Sequence, residues 1–181
     1  MKENVPFSQS ARMLQPGPLA LVTSQLKGQP NVMAAAWVFP LSLDPAIASV
    51  SLRPTRFTHQ IISKSEEFVL NIPSLALLKQ VHYCGSVSGR DVDKFKQSGL
   101  TPVTAKEVAA PLIEQCLAHV ECGLINAITF GDHTLFVGQV LSVQVDREAY
   151  DGAWTLQEDE AKPLHSLGGR LYAVMHKRIT A

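Results

Sequence analysis

Short apolar runs separated by turn residues fill the first part of the chain, and this pattern predicts β-strands. Each run is rich in apolar or β-favouring residues and is bounded by Gly, Pro, Asp or Ser. The four runs are Leu19–Thr23, Val32–Val38, Ile47–Leu52 and Phe68–Ile72. A hairpin turn is predicted over Lys27-Gly28-Gln29-Pro30, and Asp44-Pro45 predicts the turn before the third strand. We expect these strands to follow one another as a meander.

A longer alternation predicts a hairpin in the second half of the chain. From Leu135 to Val145 most odd positions are apolar, whereas polar residues lie on the opposite face, so a long half-buried strand is expected. Its predicted antiparallel partner is Leu117–Phe130, with Gly131-Asp132-His133 as the turn. After an irregular stretch over residues 147–163, a last strand is predicted over Leu171–Val174.

Helical patterns are few and short. Ser74 is followed by apolar residues at helical spacing up to His82, and Gly85 is expected to end this helix. A second short helix is expected after Pro54, where a strand pattern stops. Many strands with few helices predict a closed or nearly closed antiparallel barrel rather than a βαβ sheet. With 181 residues, 46% of them apolar, the chain is expected to form a single domain over residues 1–181.

Charge and hydropathy narrow the possible partners. The 16 basic and 16 acidic residues cancel, which argues against nucleic acid or an anionic membrane as the main partner. The first residues, Met1–Phe7, hold no apolar stretch that could act as a signal peptide, and the longest apolar run, Val32–Phe39, is too short to span a membrane. We therefore expect a soluble, cytoplasmic protein.

The three cysteines predict neither a disulfide framework nor a metal site. Cys84, Cys116 and Cys122 lack C-x-x-C spacing and have no histidine pairs nearby. They are expected to be small hydrophobic residues or unpaired thiols.

The run from Ser49 to Ile61 is the first candidate for a binding site. A strand pattern ends here at Pro54 and a helix begins, with Arg53, Arg56 and Thr58 at the junction. The start of a helix has unpaired N–H groups and a partial positive charge, so it can bind a phosphate, and arginines add charge-assisted hydrogen bonds. The alternative is that Thr58 caps the helix and the arginines are solvated.

Further blocks of sequence carry a family resemblance. They occur in a fixed order from about Pro18 to Tyr172. The blocks are Asn31–Trp37 with Pro40–Ser42, the run Ser49–Ile61, Cys84–Phe95, Gly131–Val140 and Leu164–Gly169. In this combination the chain resembles the flavin reductase-like family of FMN-binding split-barrel proteins. The resemblance implies a mainly β fold, a six-stranded antiparallel Greek-key split barrel with short flanking helices. It also implies bound FMN and a homodimer with flavin sites near the subunit interface.

The resemblance also implies which residues hold the flavin. The phosphate is expected at Thr58, Arg56 and Lys94, with Arg53 as a weaker candidate. Asn31–Trp37 is expected to line the ring; Ala34 and Ala36 stand where the family usually has threonine and serine, so backbone N–H groups would have to serve there. The full set of expected cofactor-binding residues is Asn31, Met33, Ala34, Ala35, Ala36, Trp37, Ser51, Leu52, Arg53, Arg56, Thr58, Ser86, Ser88, Gly89, Arg90, Lys94, Phe95 and His165.

Each of these assignments has a purely structural alternative. Without the resemblance, the segment from Ser88 to Asp93 would be a polar loop that caps a short helix, and Trp37 would be a core aromatic residue. His133, in the predicted turn, would be a solvated histidine. The resemblance instead implies that His133 borders the flavin and the nicotinamide pocket as the expected catalytic residue. It places His165 at the far side of the pocket.

Two functions are compatible with these residues. The first is an enzyme in which FMN takes electrons from NADH or NADPH and passes them to a free flavin, a ferric complex or another small-molecule acceptor. The second is an FMN carrier of the flavoredoxin type that is reduced by a protein partner. The residues alone leave both open.

Overall fold

A seven-stranded antiparallel sheet dominates the computed structural model, which describes residues 6–180. Residues 1–5, most of the stretch that was expected to hold no signal peptide, and residue 181 lie outside the described residues. The strands are β1 (Gly17–Pro18), β2 (Ala20–Leu26), β3 (Gln29–Ala35), β4 (Val38–Leu43), β5 (Ala46–Leu52), β6 (Glu67–Ile72), β7 (Pro102–Val103), β8 (Leu112–Ile113), β9 (Ala118–Phe130), β10 (His133–Val145), β11 (Leu164–Gly168) and β12 (Leu171–Val174). The α-helices are α1 (Ser10–Met13), α2 (Phe57–Ser65), α3 (Leu78–Ser86) and α4 (Lys94–Ser98), and short 3-10 turns cover Phe7–Gln9, Leu75–Leu77 and Asp159–Ala161.

The large sheet curls into a barrel. Its strand order is β3-β2-β6-β9-β10-β5-β4, so β3 and β4 lie at opposite edges, yet β3 leads into β4 through Ala36 and Trp37. Side chains from all seven strands share one core, which includes Val22, Val50 and Phe136. If β3 and β4 are counted as two halves of one bent strand, the barrel has six strands. The predicted mainly β barrel is confirmed.

The crossover through α2 makes the topology a Greek key rather than the predicted meander. The chain leaves β5, passes through α2 and enters β6, which pairs with β2 and not with β5. β9 then pairs with β6, and β10 pairs with both β9 and β5. The meander was wrong beyond β5 because α2 carries the chain across one end of the barrel.

Close packing inside the barrel depends on Gly138. A Cβ at Gly138 would lie 2.8 Å from both the Phe68 ring and Cys122 Cβ, so a larger residue would force the core apart. Phe68 and Phe136 are fully buried beside it. Outside the barrel, α3 and α4 pack against β2 and β3 through a second apolar cluster that includes Val81 and Phe95. This cluster fixes both helices beside the end of β3.

Two strand predictions need correction. The predicted strand Val32–Val38 is interrupted at Ala36 and Trp37, and β4 was missed. The predicted hairpin of Leu117–Phe130 with the strand from Leu135 is confirmed, with only Gly131 and Asp132 left in its turn because His133 pairs with Phe130. The expected burial of the odd face of β10 was wrong: Thr134, Phe136 and Gly138 point inward, whereas Val143 is 63% exposed.

Smaller differences concern the helices. Helix α3 was expected to stop at Gly85 but continues to Ser86. Ser74 directly precedes the 3-10 turn Leu75–Leu77, and its side chain makes no capping hydrogen bond to that turn. The polar loop after Ser88 leads into α4, where the Asp93 carboxylate accepts a hydrogen bond from Lys96 N at 3.1 Å. Strand β11 was missed, whereas the last strand agrees with the prediction.

No helix within residues 6–180 is long and apolar enough to cross a membrane. The same residues contain no group of three or more His, Cys, Asp or Glu side chains arranged to hold a metal ion. The three cysteines are buried and unpaired.

Candidate functional site

Three neighbouring cavities meet at the C-terminal end of β3, where Ala34 lines all of them. The large cavity, about 500 Å³, lies between β3, the start of α2 and the segment from Cys84 to Val92. The Trp37 cavity, about 180 Å³, lies between the break after β3, the end of β5 and His133. The Tyr172 cavity, about 370 Å³, lies between the same alanines, α3 and the β11–β12 hairpin.

The start of α2 faces the large cavity without a side-chain cap. Arg56 is the N-cap residue and makes no side-chain cap, and Thr58 lies inside the first turn, so the alternative that Thr58 caps the helix is wrong. Asn31 Nδ2 donates a hydrogen bond of 2.8 Å to Thr58 Oγ1 and so ties β3 to α2. The first N–H groups of α2 therefore remain available to an anion in the cavity.

Asn31 brings a buried acceptor to the same cavity. Its side-chain oxygen Oδ1 has no hydrogen-bond partner among the described residues, although Asn31 is only 4% exposed. A Cβ at Gly89 would lie 2.0 Å from this oxygen, so the backbone of the Gly89 loop approaches Asn31 as closely as a glycine allows. A buried oxygen without a partner is costly, and a hydroxyl or N–H of a ligand in the cavity would satisfy it.

Lys94 places a buried cation at the cavity. Its side chain is 5% exposed, and Nζ donates a hydrogen bond of 2.7 Å to the carbonyl oxygen of Cys84. No carboxylate pairs with it among the side chains that the structure describes. Burial lowers the pKa of Lys94; the Cys84 thiol opposes this shift, and the positive charge of Arg56 adds to it. A buried ammonium without an anionic partner is unfavourable, and the nearby Arg56 charge adds to the cost, so a bound anion would stabilise it.

Arg90 of the large cavity and Arg53 of the Trp37 cavity differ in their contacts. Arg90 Nη1 donates to the Thr55 carbonyl at 3.1 Å, and its guanidinium carbon lies 5.3 Å from the centroid of the Phe57 ring. It therefore holds the loop after Ser88 against the start of α2. Arg53 instead forms an ion pair of 3.1 Å with Asp132 and lines the Trp37 cavity.

An aromatic pair forms one side of the Trp37 cavity. The Trp37 and His133 ring centroids are 4.5 Å apart, with the planes tilted by 33°, and Trp37 is 37% exposed. His133 Nδ1 lies 2.7 Å from an Asp132 carboxylate oxygen. This bond with His133, aided by the Arg53 charge, lowers the pKa of Asp132. The carboxylate thus fixes the imidazole, and Nε2 is the ring atom left for a further hydrogen bond.

The structure brings most of the predicted site residues together. The large cavity is lined by Asn31, Met33, Ala34, Arg56, Thr58, Ser86, Ser88, Gly89, Arg90 and Lys94. The Trp37 cavity adds Ala35, Ala36, Trp37, Ser51, Leu52, Arg53 and His133.

Two predicted residues stand apart from the cavity walls. Phe95 is 6% exposed in the core beside α3. His165 lies on β11 with Nδ1 3.2 Å from the Pro163 carbonyl oxygen, whereas its neighbour Ser166 lines the Tyr172 cavity.

Sequence reasoning missed the polar groups of the Tyr172 cavity. His82 and Tyr172 are 90 residues apart in the chain, and their contact depends on how the β11–β12 hairpin packs against α3. The Leu164–Gly169 block was the available signal, because it directly precedes Arg170 and Tyr172.

Known proteins share both sequence and fold with this chain. The family profile described as flavin reductase like domain matches residues 13–165. An uncharacterized protein from Pyrococcus abyssi is 42% identical over 141 residues, which are 78% of this chain and 81% of that protein. Flavoredoxin of Desulfovibrio vulgaris (Miyazaki F) superposes with a TM-score of 0.86 at 31% identity, covering 100% of this chain and 97% of that one. An FMN-binding protein from Thermus thermophilus, solved with p-hydroxybenzaldehyde, also gives 0.86, at 29% identity, covering 100% and 98%.

Proposed function

Because the chain belongs to the flavin reductase-like domain family, we propose that it is a flavoprotein that binds FMN in the large cavity and passes electrons from NADH or NADPH to an acceptor. The observation that carries this proposal is the convergence of Lys94 and the uncapped start of α2 on one cavity. These groups come from separate segments and share no anionic partner among the described residues. A phosphate would give them one.

The residues present fit FMN on three independent points. The cavity volume, about 500 Å³, lies within the range of small-molecule sites. The unpartnered Asn31 oxygen would accept a hydrogen bond from a ribityl hydroxyl. The backbone of Met33–Ala36 and the Trp37 ring would face the isoalloxazine, where side-chain hydroxyls are absent from Ala34 and Ala36.

His133 would act at the face where electrons enter. Its ring is fixed by Asp132 and packs against Trp37, so Nε2 can donate or accept a hydrogen bond at a constant position. When bound, FMN supplies the capacity to accept a hydride and to release electrons in one or two steps. The protein then has to orient the nicotinamide and keep this face accessible.

A carrier function is the second candidate, and the likeness to flavoredoxin favours it. In that case a protein partner would deliver the electrons across the exposed edge of Trp37. The purified, FMN-loaded protein should therefore be mixed anaerobically with NADH or NADPH. Rapid bleaching of the flavin absorbance by the nucleotide alone supports the enzyme. Bleaching only after a separate reductase is added contradicts the enzyme function and supports the carrier function.

A homodimer is also proposed, because large apolar side chains are exposed on the outside of the barrel. Leu141, Val143 and Val145 are 46%, 63% and 38% exposed and lie on one face of β10. Exposed apolar patches of this kind mark interaction surfaces. Light scattering should give a mass near twice 19.7 kDa, and Val143→Asp should lower it, whereas Ser63→Asp, at an exposed position of α2, should not. A wild-type mass near 19.7 kDa would rule out the dimer.

A further inference from the structure

The Tyr172 cavity has an apolar wall. Leu19 and Ala34, which belong to the apolar cluster beside α3, line it with side chains that cannot form a hydrogen bond, whereas the side chain of Ala35 packs into the barrel core. Because Ala34 also lines the large cavity, whatever binds here lies next to the proposed flavin. The wall suits a flat apolar body.

A histidine–tyrosine pair supplies hydrogen-bonding groups to the same cavity. His82 Nδ1 and the Tyr172 hydroxyl are 3.2 Å apart, with their rings perpendicular. Tyr172 lies on β12 directly opposite Ser166 of β11, and both line the cavity. Burial raises the pKa of Tyr172, so its hydroxyl keeps its proton at neutral pH.

Arg170 brings a positive charge to the mouth of the cavity. It follows Gly168 and Gly169, whose φ values of 94° and 63° form a turn that favours glycine. No carboxylate pairs with Arg170 among the side chains that the structure describes. A second arginine, Arg12, reaches the same turn, with Nη1 3.4 Å from the Leu167 carbonyl oxygen. The mouth therefore presents a cation to solvent with an apolar wall behind it.

We propose that the Tyr172 cavity binds a small organic carboxylate beside the proposed flavin, with Arg170 on the carboxylate and the apolar body against Leu19 and Ala34. The assignment rests on the proposed flavin function of the adjacent large cavity. A volume of about 370 Å³ is near the lower end for small-molecule sites and suits a one-ring acid rather than a dinucleotide. The planar guanidinium of Arg170 matches a carboxylate in a two-point contact, and the Tyr172–His82 pair adds a hydrogen bond.

Calorimetric titration of the FMN-loaded protein with benzoate tests this assignment, with neutral benzamide as the matched probe. Wild type should bind benzoate more tightly than benzamide. Arg170→Gln should weaken benzoate binding about ten- to a hundredfold and leave benzamide binding unchanged, because it removes one charge-assisted contact. Tyr172→Phe should weaken benzoate binding by a smaller factor. Arg147→Gln, at an exposed arginine outside the three cavities, should change neither.

FMN uptake, measured by visible absorbance before each titration, distinguishes a failure of the proposed function from a failure of this assignment. A wild-type chain that takes up no FMN overturns the proposed function and this assignment with it. A chain that takes up FMN but binds benzoate no better than benzamide overturns the assignment alone. So does an Arg170→Gln variant that binds benzoate normally while its affinity for FMN or its KM for NADH worsens, since the cavity would then serve the cofactor or the donor.

Discussion

Replacing Lys94 by methionine removes a buried charge while keeping most of its volume. Lys94 is 5% exposed, and among the described residues its ammonium has only the Cys84 carbonyl as a hydrogen-bond partner, at 2.7 Å. If a phosphate binds here, the variant loses one charge-assisted hydrogen bond, worth about 1.5–3 kcal/mol. This corresponds to FMN binding that is about ten- to a hundredfold weaker. Riboflavin, which lacks the phosphate, should bind both proteins equally.

Although Lys94→Met should weaken FMN binding, it should stabilise the FMN-free protein. Burial lowers the pKa of Lys94 below its ordinary value of 10.5, so the folded state disfavours the charged form. Between this lowered pKa and 10.5 the unfolded chain binds more protons than the folded one, and stability rises with pH. Lys94→Met should therefore be more stable than wild type at neutral pH. The difference should shrink as the pH approaches 10.5.

Fluorescence titrations with FMN and riboflavin, together with urea unfolding of the FMN-free proteins, measure both effects. Lys96→Met is the matched control, because Lys96 lies on the same helix with an exposed side chain. It should leave both flavin affinities and the stability unchanged. If Lys94→Met weakens the binding of FMN and riboflavin equally, the residue acts through the fold or through a contact with the isoalloxazine ring. The placement of the phosphate would then be wrong.

Other residues give further expectations. His133→Ala should retain FMN but slow its reduction by NADH or NADPH in stopped-flow experiments; an unchanged rate would remove His133 from the site. Gly89→Ala should weaken FMN binding in fluorescence titrations, since its Cβ would lie 2.0 Å from Asn31 Oδ1; wild-type affinity would show that the loop is not held close. Glu121→Leu should lower the free energy of unfolding in urea by about 2–6 kcal/mol, because buried Glu121 accepts hydrogen bonds from two backbone N–H groups; a loss below about 1 kcal/mol would contradict that role.

The fold was predictable where the local pattern decides it. The runs around β2, β5 and β6 and the β9–β10 hairpin follow from apolar runs, alternation and turn residues, because the burial of a strand's side chains leaves a pattern in its own sequence. The break at Trp37 was not predictable from the sequence, since the residues on both sides favour strands and the interruption reflects closure of the barrel. The exposed odd face of β10 was misjudged because apolar side chains can face a partner as well as a core.

The candidate site was predictable only through the order of its blocks. Thr58, Lys94 and Asn31 lie in three separate segments, and no local pattern shows that they meet at one cavity. The unpartnered Asn31 oxygen and the isolated Lys94 ammonium became visible only with the packing of α2 and α4 against β3. The Tyr172–His82 pair needed the same knowledge of packing between distant elements.

Direct titration of the purified wild-type chain with FMN tests the central claim. The flavin should be bound at about one molecule per chain, with a perturbed visible spectrum and an affinity well above that for riboflavin, because the phosphate contacts contribute to FMN alone. A spectrum without bound flavin after reconstitution, or equal affinities for FMN and riboflavin, would contradict the account.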